Sequence, residues 1–193
     1  MNISYSWQKA LSNHLDDQQL FLRCRDQQND PVDIYYGTGQ SWFGECLIAT
    51  TVKGICWLDL APHAESLNEL QLAWRGCRLV PDQGRARHLA ALVFADSPAR
   101  LPAHLCGSDF QLDVWRGLTR IEPGNCMTYS QLARCIGRPD SARAVGGAVG
   151  ANAIAFLIPC HRVLPASGVL GSYRWGAALK EALLQWEQIS AVA

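Results

Sequence analysis

No two of the eight cysteines, at positions 24, 46, 56, 77, 106, 126, 135 and 160, lie within four residues of each other. The paired CxxC ligands of structural zinc sites are therefore missing. The chain has no signal-peptide pattern and has ample apolar residues for a core, so a disulfide framework is not expected; the thiols read as those of a reducing cytoplasm. No apolar run approaches the length of a membrane span. The formal net charge is zero, so composition gives no sign of a polyanionic partner. Residues 1–103 carry 9 Lys/Arg against 11 Asp/Glu and residues 104–193 carry 8 against 6, an asymmetry of −2 and +2 that is too small to indicate a binding face. A soluble intracellular protein of one large domain or two small ones is expected, away from any membrane.

What is present falls into three parts. Residues 1–30 are polar, with a short apolar-periodic piece at Trp7, Leu11 and Leu15, and read as a peripheral arm or linker. Residues 31–103 carry short β-rich runs at 34–36, 45–52 and 55–60, the last two separated by Lys53-Gly54 at hairpin spacing. Helical patterns follow at roughly 64–75 and 84–95, so this part is expected to be an antiparallel sheet with helices, a scaffold without clustered acid, base and nucleophile. Residues 104–193, beyond a boundary near Arg100-Leu101-Pro102, are dense in helix signals and give an α/β (α+β) chain overall. Ser108 can cap a helix carrying Phe110, Val114, Trp115 and Leu118 on one face. Thr128 can cap a second helix over 129–136 and Ser141 a third over 142–151, with Gly137 and Pro139 between them. Two short helices joined in this way have the form of a helix-turn-helix.

The third helix, Ala142 to Ala151, has three glycines and four alanines at a cost of about 1 kcal/mol of helix propensity per glycine. Small residues serve close packing against a neighbouring helix. They also make a smooth surface that can press on a large ligand such as duplex DNA, with Arg143 projecting from the first turn. The run from Phe156 to Leu164 sets Cys160 between Pro159 and His161 inside an apolar sequence. Pro159 stiffens the backbone entering the cysteine, and a thiol fixed before its partner arrives suits nucleophilic chemistry. A buried cysteine is more often a small inert hydrophobe. In an extended strand Cys160 and His161 point to opposite faces, which excludes a direct dyad and leaves a water-bridged relay. His161 can equally be a half-buried histidine satisfied by hydrogen bonds, and Glu187 an exposed carboxylate on a closing helix from Ala177 to about Gln188.

Ile158-Pro159-Cys160-His161-Arg162-Val163, preceded by Arg143-Ala144-Val145 and Asn152 and followed by Gly171-Ser172-Tyr173, resembles the O6-alkylguanine-DNA alkyltransferases of the bacterial Ogt and Ada C-terminal type. The resemblance spans about residues 33–190 and is dense from Phe110 to Glu187. It implies a ribonuclease-H-like first domain and a mostly helical second domain with a helix-turn-helix. It also implies irreversible transfer of an alkyl group from O6-alkylguanine, with O4-alkylthymine as a further substrate, to Cys160 after the nucleotide is flipped out of duplex DNA. The Ada domain that takes methyl groups from phosphotriesters has no counterpart here.

By the same resemblance, Glu187, His161, a water and Cys160 form a relay, Asn152 braces the turn, and Tyr129 crowds the target phosphate and protonates the departing guanine. Arg143 fills the gap left by the flipped nucleotide. Thr128, Ala142, Ala144, Gly146 and Gly147 belong to the DNA-binding surface, which lies in the minor groove and is largely independent of sequence. Val163, Tyr173, Arg174 and Trp175 belong to the substrate pocket, where the carbonyls of Cys160 and Val163 accept from the guanine amine. Some relatives have glycine in place of Trp175, so a narrowed pocket is expected. No cofactor and no metal among the site residues is implied, and the protein is expected to act as a monomer in the cytoplasm, at the nucleoid if bacterial. A different class, the non-catalytic alkyltransferase-like damage sensor, commonly has tryptophan at the acceptor position, which is cysteine here.

Overall fold

The computed structural model describes residues 22–23, 32–95, 101–168 and 170–192. Apart from 22–23, the arm expected over residues 1–30, including the piece at Trp7, Leu11 and Leu15, lies outside the described residues. The chain divides into two compact units; the described residues of one are 22–23, 32–95, 101–107 and 153–155, and those of the other are 108–152, 156–168 and 170–192.

In the first unit, β1 (Leu22–Arg23) pairs in parallel with β6 (His104–Leu105). The main sheet has four strands, β2 (Asp33–Ser41), β3 (Gly44–Thr51), β4 (Gly54–Asp59) and β5 (Arg78–Pro81), in the order β4-β3-β2-β5. The three strands read from the sequence form the expected antiparallel meander, turning at Val52-Lys53. The fourth was not anticipated, and it runs parallel to β2, so the sheet is mixed. Four residues ending in proline are too short to show a period. Their register is held from outside by the Arg78 guanidinium, which donates to both carboxylate oxygens of Asp33 at 2.7 and 2.6 Å.

Helix α1 (Ser66–Ala73) and helix α2 (Gln83–Val93) are each shorter than their sequence patterns. Helix α2 lies directly on β2, because Gly37 and Gly39 face Ala86 and Ala90; a Cβ on Gly39 would stand 2.3 Å from that of Ala90. Ile34, Ala49, Cys56, Trp57, Leu70 and Trp74 close the core on the sheet. Ala153 and Ala155 extend this unit by bonding to Leu58 of β4. His104 belongs here too, bonded through Nδ1 to the Thr51 hydroxyl at 2.8 Å and edge-on against Trp74.

The second unit is mostly helical. Helix α3 (Asp109–Thr119) opens on a reciprocal capping box, with the Ser108 hydroxyl accepting from the Gln111 N–H and the Gln111 side chain accepting from the Ser108 N–H. Helix α4 (Tyr129–Cys135) opens the same way through Thr128 and Gln131. Helix α5 (Ala142–Gly150) does not: Ser141 stands at its N-cap, but its hydroxyl donates to the Arg138 carbonyl at 2.7 Å, so the expected side-chain cap is replaced by a turn closure. Trp115 ties α3 to α5 by donating to the Ala148 carbonyl at 2.9 Å. Helix α6 (Ala177–Val192) closes the unit. Among the described residues no helix is long and apolar enough to cross a membrane.

Candidate active site

The segment carrying Cys160 is a turn, which corrects the extended strand read from the sequence. Cys160–Arg162 form one turn of 3-10 helix, and only then does the chain enter β8 (Val163–Leu164), paired in parallel with β7 (Met127–Thr128). Pro159 precedes the turn with φ −81° and ψ 63°, values outside the strand and helix regions. Phe156 adopts φ 66°, a conformation that costs an aromatic residue of order 1 kcal/mol and persists because its ring is buried against Trp186. Asn152 fastens the turn, its Nδ2 donating to the Ile158 carbonyl at 2.9 Å and to Cys160 Sγ at 3.1 Å.

Cys160 is 4 % exposed. Burial raises its pKa, while the Asn152 amide, the neighbouring Tyr173 hydroxyl and the charge of Lys180 favour the thiolate. The Tyr173 hydroxyl is itself enclosed, without a hydrogen bond of regular geometry among the described residues, and burial beside the thiol pushes its pKa well up. Tyr129, at the first position of α4, is half-buried; burial and then the proximity of Cys160 raise its pKa.

Glu187 is 1 % exposed, so it is not the surface carboxylate that its place on a helix allows. Its Oε1 meets His161 Nε2 at 2.8 Å, and Arg162 grips it through Nε at 3.0 Å to both oxygens and Nη2 at 2.7 Å. The Gly124 N–H adds a weak contact at 3.4 Å, and Arg162 Nη1 donates onward to the Ile121 carbonyl. Burial alone would raise the Glu187 carboxyl, but hydrogen bonding to His161 and the charges around it hold it down to about 2. Burial lowers the His161 pKa despite the carboxylate, so at neutral pH the imidazole is neutral and the carboxylate ionised. With Nε2 donating to Glu187, Nδ1 carries the lone pair; it is buried and has no hydrogen-bond partner among the described residues.

Arg162 and Lys180 are the participants that sequence reasoning passed over. Lys180 is 1 % exposed and donates to the carbonyls of Val163 at 2.9 Å and Leu170 at 2.7 Å, so the Val163 oxygen expected to face substrate already accepts one bond. A signal was available, since Lys180, Leu183 and Glu187 follow each other at helical spacing and share the buried face of α6. Trp175 is buried at 9 % exposure and stands edge-on to Tyr173 with centroids 5.2 Å apart, whereas Arg174 is exposed and lies 5.9 Å above the Trp175 ring.

On helix α5, Val145, Ala148 and Val149 are buried while Arg143, Ala144, Gly147 and Gly150 are exposed. A Cβ on Gly147 or Gly150 would enter open space, and one on Gly146 would only touch the Tyr129 ring at 3.8 Å. Close helix packing therefore does not account for these glycines. That role falls to Gly117 of α3, where a Cβ would come within 2.8 Å of Ile136 and 2.9 Å of Leu132. Ala142 stands half-buried at the start of α5, and the Thr128 hydroxyl is engaged in its cap.

The family model described as 6-O-methylguanine DNA methyltransferase, DNA binding domain, matches residues 109–189. The chain is 37 % identical over 160 residues to the bifunctional transcriptional activator/DNA repair enzyme Ada of Escherichia coli, covering 80 % of this chain and 45 % of that protein. It is 33 % identical over 148 residues to the inducible methylated-DNA–protein-cysteine methyltransferase of Bacillus subtilis, covering 73 % of this chain and 83 % of that one. It is also similar to the crystal structure of Mycobacterium tuberculosis OGT in complex with DNA, with TM-score 0.66 and 32 % identity over 82 % of this chain and 94 % of that chain. The chain spans about half the length of the first curated relatives it matches. At 33 % identity over 83 % of the Bacillus subtilis protein, the chain belongs to the methylated-DNA–protein-cysteine methyltransferase family.

Proposed function

We propose that this protein repairs DNA by moving the alkyl group of O6-alkylguanine irreversibly onto Cys160. The observation that carries this reading is the chain of contacts from Glu187 to His161 together with the polar bracing of a buried thiol by Asn152. Neutral His161 accepts a proton at Nδ1 from a bridging water as that water takes the proton of Cys160, and the Glu187 carboxylate stabilises the imidazolium. The thiolate attacks the alkyl carbon, the carbon–O6 bond breaks, and the guanine leaves with its electron pair and takes a proton from Tyr129. The product is a thioether, which has no leaving group, so each molecule reacts once. O4-alkylthymine presents the same carbon–oxygen bond and is a second substrate.

The O6 carbon is out of reach in a paired stack, so the nucleotide must be extruded at a cost of a few kcal/mol. The exposed face of α5, with Arg143, Ala144 and Gly147, lies in the minor groove without reading sequence, and Arg143 fills the space vacated by the base. Thr128, Ala142 and Gly146 flank that face. Val163, Tyr173 and Arg174 line the substrate pocket, where Trp175 leaves room for methyl or ethyl and crowds larger groups. The protein acts as a monomer and needs no cofactor. A damage sensor would not require the thiol and its relay. Incubation of the protein with duplex DNA carrying one radiolabelled O6-methylguanine tests the reading: label moves to the protein and stops at one group per molecule. Label that stays in the DNA, or several products per protein molecule, contradicts it.

A further inference from the structure

Among the described residues two cysteines are exposed, Cys126 and Cys135, and both line one groove of about 530 Å3 in the second unit. Arg120 and Arg134 line the same groove, with one acidic residue, Glu122, leaving its lining net positive. Scattered surface thiols have no reason to converge in this way. Neither thiol belongs to the Cys160 relay, and Arg134 has no carboxylate partner among the described residues. Two thiols offer reaction with a sulfur electrophile, and the Arg134 guanidinium offers bidentate recognition of a carboxylate. The volume admits a small organic molecule, not a peptide chain.

We infer that this groove is a thiol-modification site, at which Cys135 forms a mixed disulfide with a low-molecular-weight thiol bearing carboxylates, delivered as its disulfide. The Cys135 thiolate attacks one sulfur of the disulfide, that S–S bond breaks and a protein–S–S–R bond forms. The other half leaves as a thiolate and takes up the proton that Cys135 released, so one thiol and one disulfide are consumed and one of each is formed. Cys135 is the acceptor because it adjoins Arg134 in α4 and both residues line the groove.

The groove reaches the proposed chemistry through its wall. Ile121, which lines it, gives its carbonyl to Arg162, and the turn from Glu122 to Asn125 presents the Gly124 N–H to Glu187. An adduct that fills the groove presses on the support of the Glu187–Arg162 pair and slows transfer to Cys160, a consequence that rests on the proposed function.

The test begins with Cys160→Ala protein, so that the relay thiol does not contribute, exposed to oxidised glutathione or to cystamine, a cationic disulfide without carboxylates. Peptide mapping should place one glutathionyl group on Cys135, formed about tenfold faster than the cystamine adduct. Arg134→Ala should erase that preference, and Cys135→Ser should abolish the adduct. Equal rates for the two disulfides, unchanged labelling of Cys135→Ser, an internal Cys126–Cys135 disulfide, or an adduct confined to other cysteines would overturn the assignment. In the wild type, modified protein should transfer methyl groups several-fold more slowly until dithiothreitol restores it. An adduct on Cys135 with unchanged transfer would overturn the coupling alone, and a wild type that never transfers would fault the proposed function while leaving the labelling result intact.

Discussion

Cys56 and Cys160 are both buried thiols, 1 % and 4 % exposed, and they are not equivalent. Cys56 stands in the apolar core of the first unit among Ile34, Trp57, Leu70 and Trp74, where burial pushes its pKa far up. Cys160 is enclosed as tightly, but an amide donor at 3.1 Å, a phenol and an ammonium group surround it. Burial by itself makes a cysteine inert, and what separates a nucleophile from a core residue is the set of polar groups that stabilise its anion. The same holds for carboxylates. Glu187 stays ionised in the interior because Arg162 and His161 supply what water would.

The comparison breaks most readily at His161. Replacing it by alanine leaves Cys160 as enclosed as before without its base, and transfer should fall by about 100-fold or more. Rate–pH profiles of mutant and wild type that superimpose would show that His161 does not act on the thiol. Glu187→Gln should cost about 3–5 kcal/mol of stability, because Arg162 is left as a buried charge without its counter-ion; thermal melting reads this. The pH dependence has a definite sign. The folded pKa of Glu187 is depressed from 4.5 to about 2, so its contribution is complete above 4.5 and lost as pH falls toward 2. Wild-type stability should fall across that window by about 3 kcal/mol more than that of Glu187→Gln. Equal acid sensitivity would mean that the pair is not formed.

Much of the site is legible in the sequence because proline, cysteine and histidine stand in a fixed order within an apolar run, and because a helix with three glycines needs a reason. The burial of Arg162 and Lys180 was not legible. Long charged residues are exposed by default, and the Glu187 carboxylate with the carbonyls of Ile121, Val163 and Leu170, brought from separate segments, reverses that default. The sequence pattern of helix α6 marks Leu179, Leu183, Leu184 and Trp186 as its apolar positions, whereas its buried stripe among the described side chains is Lys180, Leu183 and Glu187. The 3-10 turn at Cys160 escaped the reading because three residues show no period, and β5 escaped for the same reason.

Smaller effects sharpen the contrast. Arg143→Ala should lower repair of duplex DNA by about tenfold or more while leaving reaction with the free base O6-methylguanine unchanged, since only the duplex requires an extruded nucleotide. Equal losses on both substrates would assign Arg143 to the fold. Cys56→Ala should cost about 1 kcal/mol of stability through a small cavity and leave the transfer rate as it was. A loss of transfer without a loss of stability would give Cys56 a part in the chemistry and erase its difference from Cys160.

The most direct test is to locate the alkyl group. After reaction of the wild type with an O6-methylguanine oligonucleotide, peptide mapping by mass spectrometry should find one methyl group on Cys160 and none on Cys56, Cys126 or Cys135, while Cys160→Ala binds the same DNA and gains nothing. Methylation of another cysteine in place of Cys160, or methylation of the Cys160→Ala protein at the wild-type level, would contradict the account.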